Sequence, residues 1–346
     1  MKDLKELYPD ELKEELLGLG EKAFRAGQIY DWMHRKLAKS SSEMSNLSLK
    51  LREQLGASYS YTCFEPELVQ TSKEDGTKKY LFTLSDGERI ESVFMRYHHG
   101  NTVCISTQVG CRMGCRFCAS TLGGRIRDLS AAEMLEQIYA ITRDTGERIG
   151  NIVVMGIGEP LDNYAELIRF LRMITGKEGL NISQRSITVS SCGLVPQIRD
   201  LAGEDLAVTL AISLHAASDE KRRRIMPVAQ RYSIDELMGA ADFYFVKTGR
   251  RVSFEYALIA GENDKEEDVA ALSALAAPRH CHVNLIPVNP VTETGMKEPD
   301  RDAVQAFCVK LNKRGVTATI RRELGRDIDG ACGQLRRKAG GAGVKQ

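Results

Sequence analysis

The sequence predicts an α/β fold: a partial, TIM-like barrel of six βα units, preceded by a small helical domain and a β-hairpin extension. Three observations predict it. From about residue 102 onward, short runs rich in Val and Ile alternate with helix-compatible segments, the pattern of a parallel sheet with helices outside. Six such units fill about 190 residues, whereas a closed barrel of eight takes about 250, so this barrel is expected to stay open. Upstream, Ala23, Ile29, Trp32, Met33 and Leu37 recur at helical spacing, with Gly18, Gly20 and Gly27 as punctuation.

In chain order, residues 3–57 read as helical. Two alternating runs, KKYLFTL and RIESVFMRY, follow on either side of Ser85-Asp86-Gly87, a hairpin signal. Strand candidates of the barrel are 103–107, 152–155, 187–190, 208–213, 252–258 and 283–288. Ser130-Ala-Ala-Glu133 and Ser233-Ile-Asp-Glu236 are capping boxes that open two of the intervening helices. Gly176 and Gly249 stand where two helices would close. A further helix, a strand near Val316–Ile320 and a basic tail complete the chain, whose GGAGVKQ end is expected to be disordered. These signals divide the chain at residues 1–58, 59–100, 101–300 and 301–346.

Of 346 residues 42% are hydrophobic and 27% charged, and no apolar run is long enough for a membrane span. The first residues, MKDLKELYPDELKEELL, lack the apolar stretch of a signal peptide. A cytoplasmic protein with no membrane partner is expected. There thiols stay reduced, so the nine cysteines do not read as a disulfide scaffold; three fall within eight residues, which points to metal binding or catalysis. The net charge is +1, but residues 310–346 hold ten Lys and Arg against three acids. Residues 1–58 are neutral, with ten charges of each sign. Further cations cluster at Lys221, Arg222, Arg223 and Arg224 and at Arg112, Arg116, Arg125 and Arg127. Each cluster alone reads as solvated surface; together they favour a polyanionic partner.

The chemistry centres on Cys111-Arg-Met-Gly-Cys115-Arg-Phe-Cys118, directly after the first barrel strand. A structural zinc site would want four ligands, usually two cysteine pairs, and no second pair exists. Three close thiolates suit a 4Fe–4S cluster with one iron left open. Gly156-Ile-Gly158-Glu159-Pro160 ends the second strand, Ser190 the third, Ser213-Leu214-His215 the fourth and Asn289 the sixth. Each could be an ordinary turn or capping residue, and a lone His is commonly structural. Their shared place at strand C-termini, where barrel enzymes keep their chemistry, favours one common site.

This set resembles the radical S-adenosylmethionine (SAM) superfamily, whose open iron chelates the SAM amino and carboxylate groups and whose Gly-Glu-Pro turn binds the amino group. STQVGCRMGCRFCAS, VMGIGEPLDNY, ISLHAA, LIPVNPV and GACGQL together resemble the RlmN-type adenine C2 methyltransferases over nearly the whole chain. That resemblance implies methylation of C2 of an adenine in 23S rRNA and of an adenine beside the anticodon of tRNA, with two SAM per turnover. C2 is electrophilic, so direct transfer from the sulfonium has no driving force. In the family a cysteine first becomes S-methylcysteine. A 5′-deoxyadenosyl radical then removes a hydrogen from it, and the carbon radical adds to C2.

The resemblance places the methyl carrier at Cys332, flanked by Gly330 and Gly333, and the resolving thiol at Cys104. It places the proton acceptor at Glu91, which alone reads as a surface strand glutamate; Cys104 alone reads as a small core residue. Cys63, Cys192, Cys281 and Cys308 match no functional position and read as structural. An electron donor such as flavodoxin or ferredoxin and a monomeric state are also expected. Two rivals remain: the C8-methylating Cfr-type relatives, and a nonenzymatic iron–sulfur RNA-binding protein. The second would have no use for paired thiols at Cys104 and Cys332.

Overall fold

A computed structural model describes residues 1–288, 295–322, 324–328 and Leu335. Its first part is three helices, α1 (Pro9–Gly18), α2 (Arg25–His34) and α3 (Leu49–Ser58), closed around Leu12, Leu16, Ile29, Met33, Leu51 and Leu55. Pro9 opens α1, where its missing N–H costs nothing, and the Ser48 hydroxyl caps α3 by accepting the Leu51 N–H. Helix α2 is shorter than the Ala23-to-Leu37 periodicity suggests. After His34 the chain turns out, Lys36 N–H returns to Asp31 O at 2.9 Å, and Leu37 takes a left-handed φ of 56° to bury in the neighbouring core.

The hairpin forms as read: β2 (Lys78–Thr83) and β3 (Arg89–Tyr97) pair antiparallel across Asp86-Gly87. It is the second half of a meander, because β1 (Pro66–Thr71) pairs with β2. The sequence shows no strand there. As an edge strand, β1 has no fully buried face to impose alternation.

The barrel strands are β4 (Gly100–Cys104), β7 (Ile149–Val154), β8 (Ile187–Ser191), β9 (Thr209–Ser213), β10 (Val252–Leu258) and β11 (Cys281–Pro287), with β12 (Ala318–Ile320) parallel beyond them. Between β4 and β7 lies a separate antiparallel ribbon, β5 (Gln108–Gly110) and β6 (Arg125–Asp128). Among the described residues one ten-stranded sheet runs β1-β2-β3-β4-β7-β8-β9-β10-β11-β12, so meander and barrel are continuous through β3 and β4. Helices α4 (Ala131–Thr145), α5 (Tyr164–Thr175), α6 (Val195–Ala202), α7 (Asp219–Ile225), α8 (Ile234–Thr248), α9 (Glu266–Ala276) and α10 (Arg301–Lys313) supply the crossovers. Both capping boxes form, at the starts of α4 and α8. Gly249 closes α8 in the left-handed region, whereas Gly176 closes α5 in extended backbone. Among the described residues no helix is long and apolar enough to cross a membrane.

Strand alternation sets the site. Val103, Ile105, Ile152, Val154, Val189 and Ile212 face the helices in the main core. Their neighbours Thr102, Val153, Thr188, Ser190, Ser213 and Glu255 face inward and line two adjoining cavities, so polar side chains reach the barrel interior.

The helical part docks on α4 through buried polar groups. Lys5 Nζ lies 2.6 Å from both Glu136 Oε2 and Thr62 O, with neither charged side chain exposed. His34 Nδ1 meets the Tyr139 hydroxyl at 2.7 Å. Burial, aided by Lys5, pushes the His34 pKa down to about 3, and burial with Arg222 does the same at His215. Both rings are neutral when folded, but titrate near 6.5 when unfolded. The unfolded chain therefore binds up to two more protons in that window. Their contribution to stability is complete above about pH 6.5 and is lost as pH falls toward the folded values, at up to about 2.7 kcal/mol per pH unit. Urea denaturation from pH 7.5 to 5 should show this loss, and His34→Gln should remove about half of the histidine slope.

Candidate functional site

At the C-terminal ends of the parallel strands lies a cavity of about 260 Å³. One wall is the cysteine loop. Cys111, Cys115 and Cys118 all line the cavity; Met113, Phe117 and Met226 add apolar surface. The loop is pinned at its ends: Cys111 N–H donates to Gly124 O at 3.0 Å, Cys118 N–H to Cys115 O at 3.0 Å, and Arg116 N–H to Ile225 O at 2.9 Å. The ribbon β5–β6 holds its base, and only glycine fits at one point. Gly110 has φ 77°, and a Cβ there would stand 1.9 Å from Gly124 O. Gly110→Ala should cost about 1–3 kcal/mol in backbone strain alone, before that clash is relieved. A lowered denaturation midpoint with poor iron loading is the expected readout.

The opposite wall is the Gly156–Pro160 turn. A Cβ on Gly158, at φ 113°, would meet the Gln108 side chain at 2.7 Å, so the turn presses directly against the chain leading into the cysteine loop. Glu159 is buried and held at both carboxylate oxygens. Leu161 N–H donates to Oε1 at 3.1 Å and Cys192 N–H to Oε2 at 2.7 Å. Burial pushes its carboxyl up, against those two hydrogen bonds. Ser190, Ser213 and His215 complete the rim. His215 takes a left-handed φ of 55°, and its Nδ1 accepts the Ala257 N–H at 2.9 Å, which fixes the proton on Nε2. Leu214 faces away: its side chain is core, its N–H donates to Glu255 O and its carbonyl accepts from Arg222 Nε.

The structure thus brings together Cys111, Cys115, Cys118, Gly158, Glu159, Ser190, Ser213 and His215. Asn289 and Cys332 lie outside the described residues. Cys104 ends β4, buried, in register with Val93 and Val153; it alternates with Val103 and Ile105 and therefore faces inward. Glu91 is not on the surface. It is 3% exposed on β3, with Lys79 Nζ 2.9 Å from its Oε2 and Lys79 fully buried. Strand alternation does not identify Glu91 as buried, because the second face of β3 is covered rather than solvated.

Several site residues escaped sequence reading. Cys192, which in the sequence reads as structural, lines the cavity with the other three cysteines. Glu255 and Arg321 line both this cavity and the adjoining one of about 380 Å³ toward the other strand ends. Glu255 accepts from Asn284 Nδ2 at 2.8 Å, and burial pushes its carboxyl up. The cation clusters are less open than the sequence suggests. Arg112, Arg125, Arg127 and Lys221 pair with Asp162, Asp128, Glu133 and Asp268, respectively, and Arg222 is fully buried. Arg116, Arg223 and Arg224 remain exposed.

The donor set fits an iron–sulfur cluster. Among the described residues no three His, Cys, Asp or Glu side chains close on a single metal ion, so the thiols do not form a mononuclear site; they line one side of a wider chamber. Burial pushes the Cys111 thiol up to about 12 and Cys115 higher still, each raised further by its neighbouring sulfurs. Such thiols give up their protons to a metal. The Met113 N–H, directed at Cys111, favours the resulting thiolate.

Comparisons with known proteins agree with this geometry. The pattern described as the radical SAM superfamily matches residues 105–272, and that of the ribosomal RNA large subunit methyltransferase N-terminal domain matches residues 2–60. The chain is 59% identical to a probable dual-specificity RNA methyltransferase RlmN of Lachnospira eligens, over 98% of this chain and 97% of that protein. A protein of the same name from Lachnoclostridium phytofermentans is 55% identical, over 97% and 94%. Among solved structures, a radical SAM methyltransferase from Sphaerobacter thermophilus superposes with a TM-score of 0.93 at 42% identity, covering 96% of this chain and 99% of that one.

Proposed function

The chain belongs to the RlmN-type radical SAM methyltransferases, enzymes that use a 4Fe–4S cluster and SAM, and on that premise we propose that it methylates C2 of adenine in RNA. Its substrates are 23S rRNA and tRNA, the latter beside the anticodon. One observation carries the reading. Similarity to a protein named as a dual-specificity RNA methyltransferase extends over 98% of the chain, so it takes in the barrel as well as the first 60 residues.

When bound, the cluster and SAM supply one-electron cleavage of a carbon–sulfur bond and the methyl group. The chain's residues do the rest. Cys111, Cys115 and Cys118, which line the cavity together, would hold the cluster through their three thiolates. Gly158, Glu159, Ser190, Ser213, His215 and Asn289 hold SAM, and Leu214, whose N–H and carbonyl are bonded to Glu255 and Arg222, fixes the backbone between Ser213 and His215. His215 serves as a neutral donor, since its pKa of about 3 keeps it from charging at working pH. Cys332 carries the methyl group to the base and Cys104 releases the product by forming a disulfide with it. Glu91 accepts the proton lost from C2, beside Lys79. Exposed Arg116, Arg223 and Arg224 and the basic tail bind phosphates, and the target base leaves its stack to reach the cavity. The electron comes from a flavodoxin or ferredoxin, and the protein works as a monomer in the cytoplasm.

The deciding experiment is mass spectrometry of nucleosides from RNA incubated with reconstituted protein, SAM and reductant. 2-Methyladenosine is expected in both RNAs. 8-Methyladenosine would assign the Cfr-type reaction, and iron loading without 5′-deoxyadenosine would leave only a binding protein.

A further inference from the structure

Arg222, on α7, is fully buried, yet it has no ion pair among the described residues. Its Nε donates to Leu214 O at 3.1 Å, and its Nη2 to Cys192 O at 2.7 Å and Ser213 O at 3.3 Å. All three acceptors are neutral carbonyls at the ends of β8 and β9. Among the described residues Nη1, also buried, has no hydrogen-bond partner. The acid that acts on it, Asp219, directs its carboxylate to the Ile234 N–H at 2.9 Å. An isolated buried guanidinium is costly and is normally matched by an anion. The wall around it shows where that anion belongs. Cys115, Cys192, Ile225 and Met226 pack as one cluster, and the cysteine loop is bonded to α7 through Arg116 N–H and Ile225 O. Arg222 also acts electrostatically on both Cys115 and Cys192.

We propose that Arg222 is the fixed counter-charge of the cluster held by Cys111, Cys115 and Cys118, a positioning residue that ties the ends of β8 and β9 to the cluster wall and raises the cluster's reduction potential. This rests on the cluster reading above. The cluster takes one electron from an external donor and becomes more negative by one charge; a fixed cation in a low-dielectric wall favours that reduced state.

The test is an EPR-monitored potential titration, with dithionite and mediators, of reconstituted wild type, Arg222→Lys, Arg222→Gln and Arg222→Met. At the wild-type midpoint, the ratio of reduced to oxidised cluster should fall about tenfold in the Gln and Met variants, a shift of about 59 mV for a one-electron couple. Arg222→Lys, which keeps the charge, should stay closer to wild type. Loading should also raise the denaturation midpoint less in the neutral variants than in wild type. Retention of a cluster by the Lys variant alone would likewise support the proposal. Unchanged potentials and equal gains on loading, with only apoprotein stability lowered, would reduce Arg222 to a main-chain clamp and overturn it. So would failure of the Lys variant to hold a cluster. Wild-type protein that binds no iron would instead sink the cluster reading.

Discussion

Anaerobic reconstitution should load about four irons per chain, and Cys115→Ala should abolish both the iron and SAM cleavage while leaving the fold intact. The two halves of this result have separate causes. The loop has three thiols, and with all three as ligands the loss of one would leave the cluster too few protein ligands to be held. The fold survives because the loop is held by main-chain bonds that the substitution leaves in place: Arg116 N–H to Ile225 O, Cys118 N–H to Cys115 O and Cys111 N–H to Gly124 O. Removing one buried sulfur should cost about 1–2 kcal/mol, too little to unfold a chain with this core. Cys192→Ser is the control, since Cys192 lines the same cavity but is not assigned as a ligand. It should retain its iron. A fully loaded Cys115→Ala protein would refute the ligand assignment; loss of iron from Cys192→Ser would bring that sulfur into the set.

Much of this arrangement was legible in the sequence, for identifiable reasons. The parallel strands are buried on the helix side, so Val and Ile recur along them. β10 matches its expected span of 252–258 to the residue. The Ser130 and Ser233 capping boxes were legible because they are local hydrogen-bond patterns. The cysteine loop could be read because metal chemistry imposes its spacing. What escaped depends on contacts distant in sequence. Among the described residues β1 has one neighbouring strand and no fully buried face, and β5 is only three residues long. Arg222 sits in a run of cations that reads as solvated surface. It is buried because the ends of β8 and β9 bring Cys192, Ser213 and Leu214 carbonyls around it. Glu91 is buried because Lys79 comes with it from the neighbouring strand. In both cases the second partner, not the residue itself, decides burial.

If Cys332 carries the methyl and Cys104 resolves the product, Cys104→Ala should accumulate protein covalently bound to RNA. On that assignment Cys104 would be the fixed thiol of the pair. It is buried at the end of β4, facing the barrel interior between β3 and β7, directly upstream of the cysteine loop. A thiol there cannot swing, so the carrier must come to it. The resemblance puts that carrier at Cys332, between Gly330 and Gly333. Removing Cys104 therefore leaves carrier methylation and attack on C2 untouched. It removes the only step that breaks the carrier's carbon–sulfur bond, because no second thiolate is left to displace the methylene-bridged base. The adduct should run as a shifted band that nuclease collapses, and its digest should place a methylene-linked adenine on the peptide containing Cys332. Cys332→Ala should load its cluster normally yet form no adduct, and the double variant should show no band, because the carrier acts before the resolving thiol. Multiple turnovers by Cys104→Ala, or an adduct on a different cysteine, would assign these roles to other thiols.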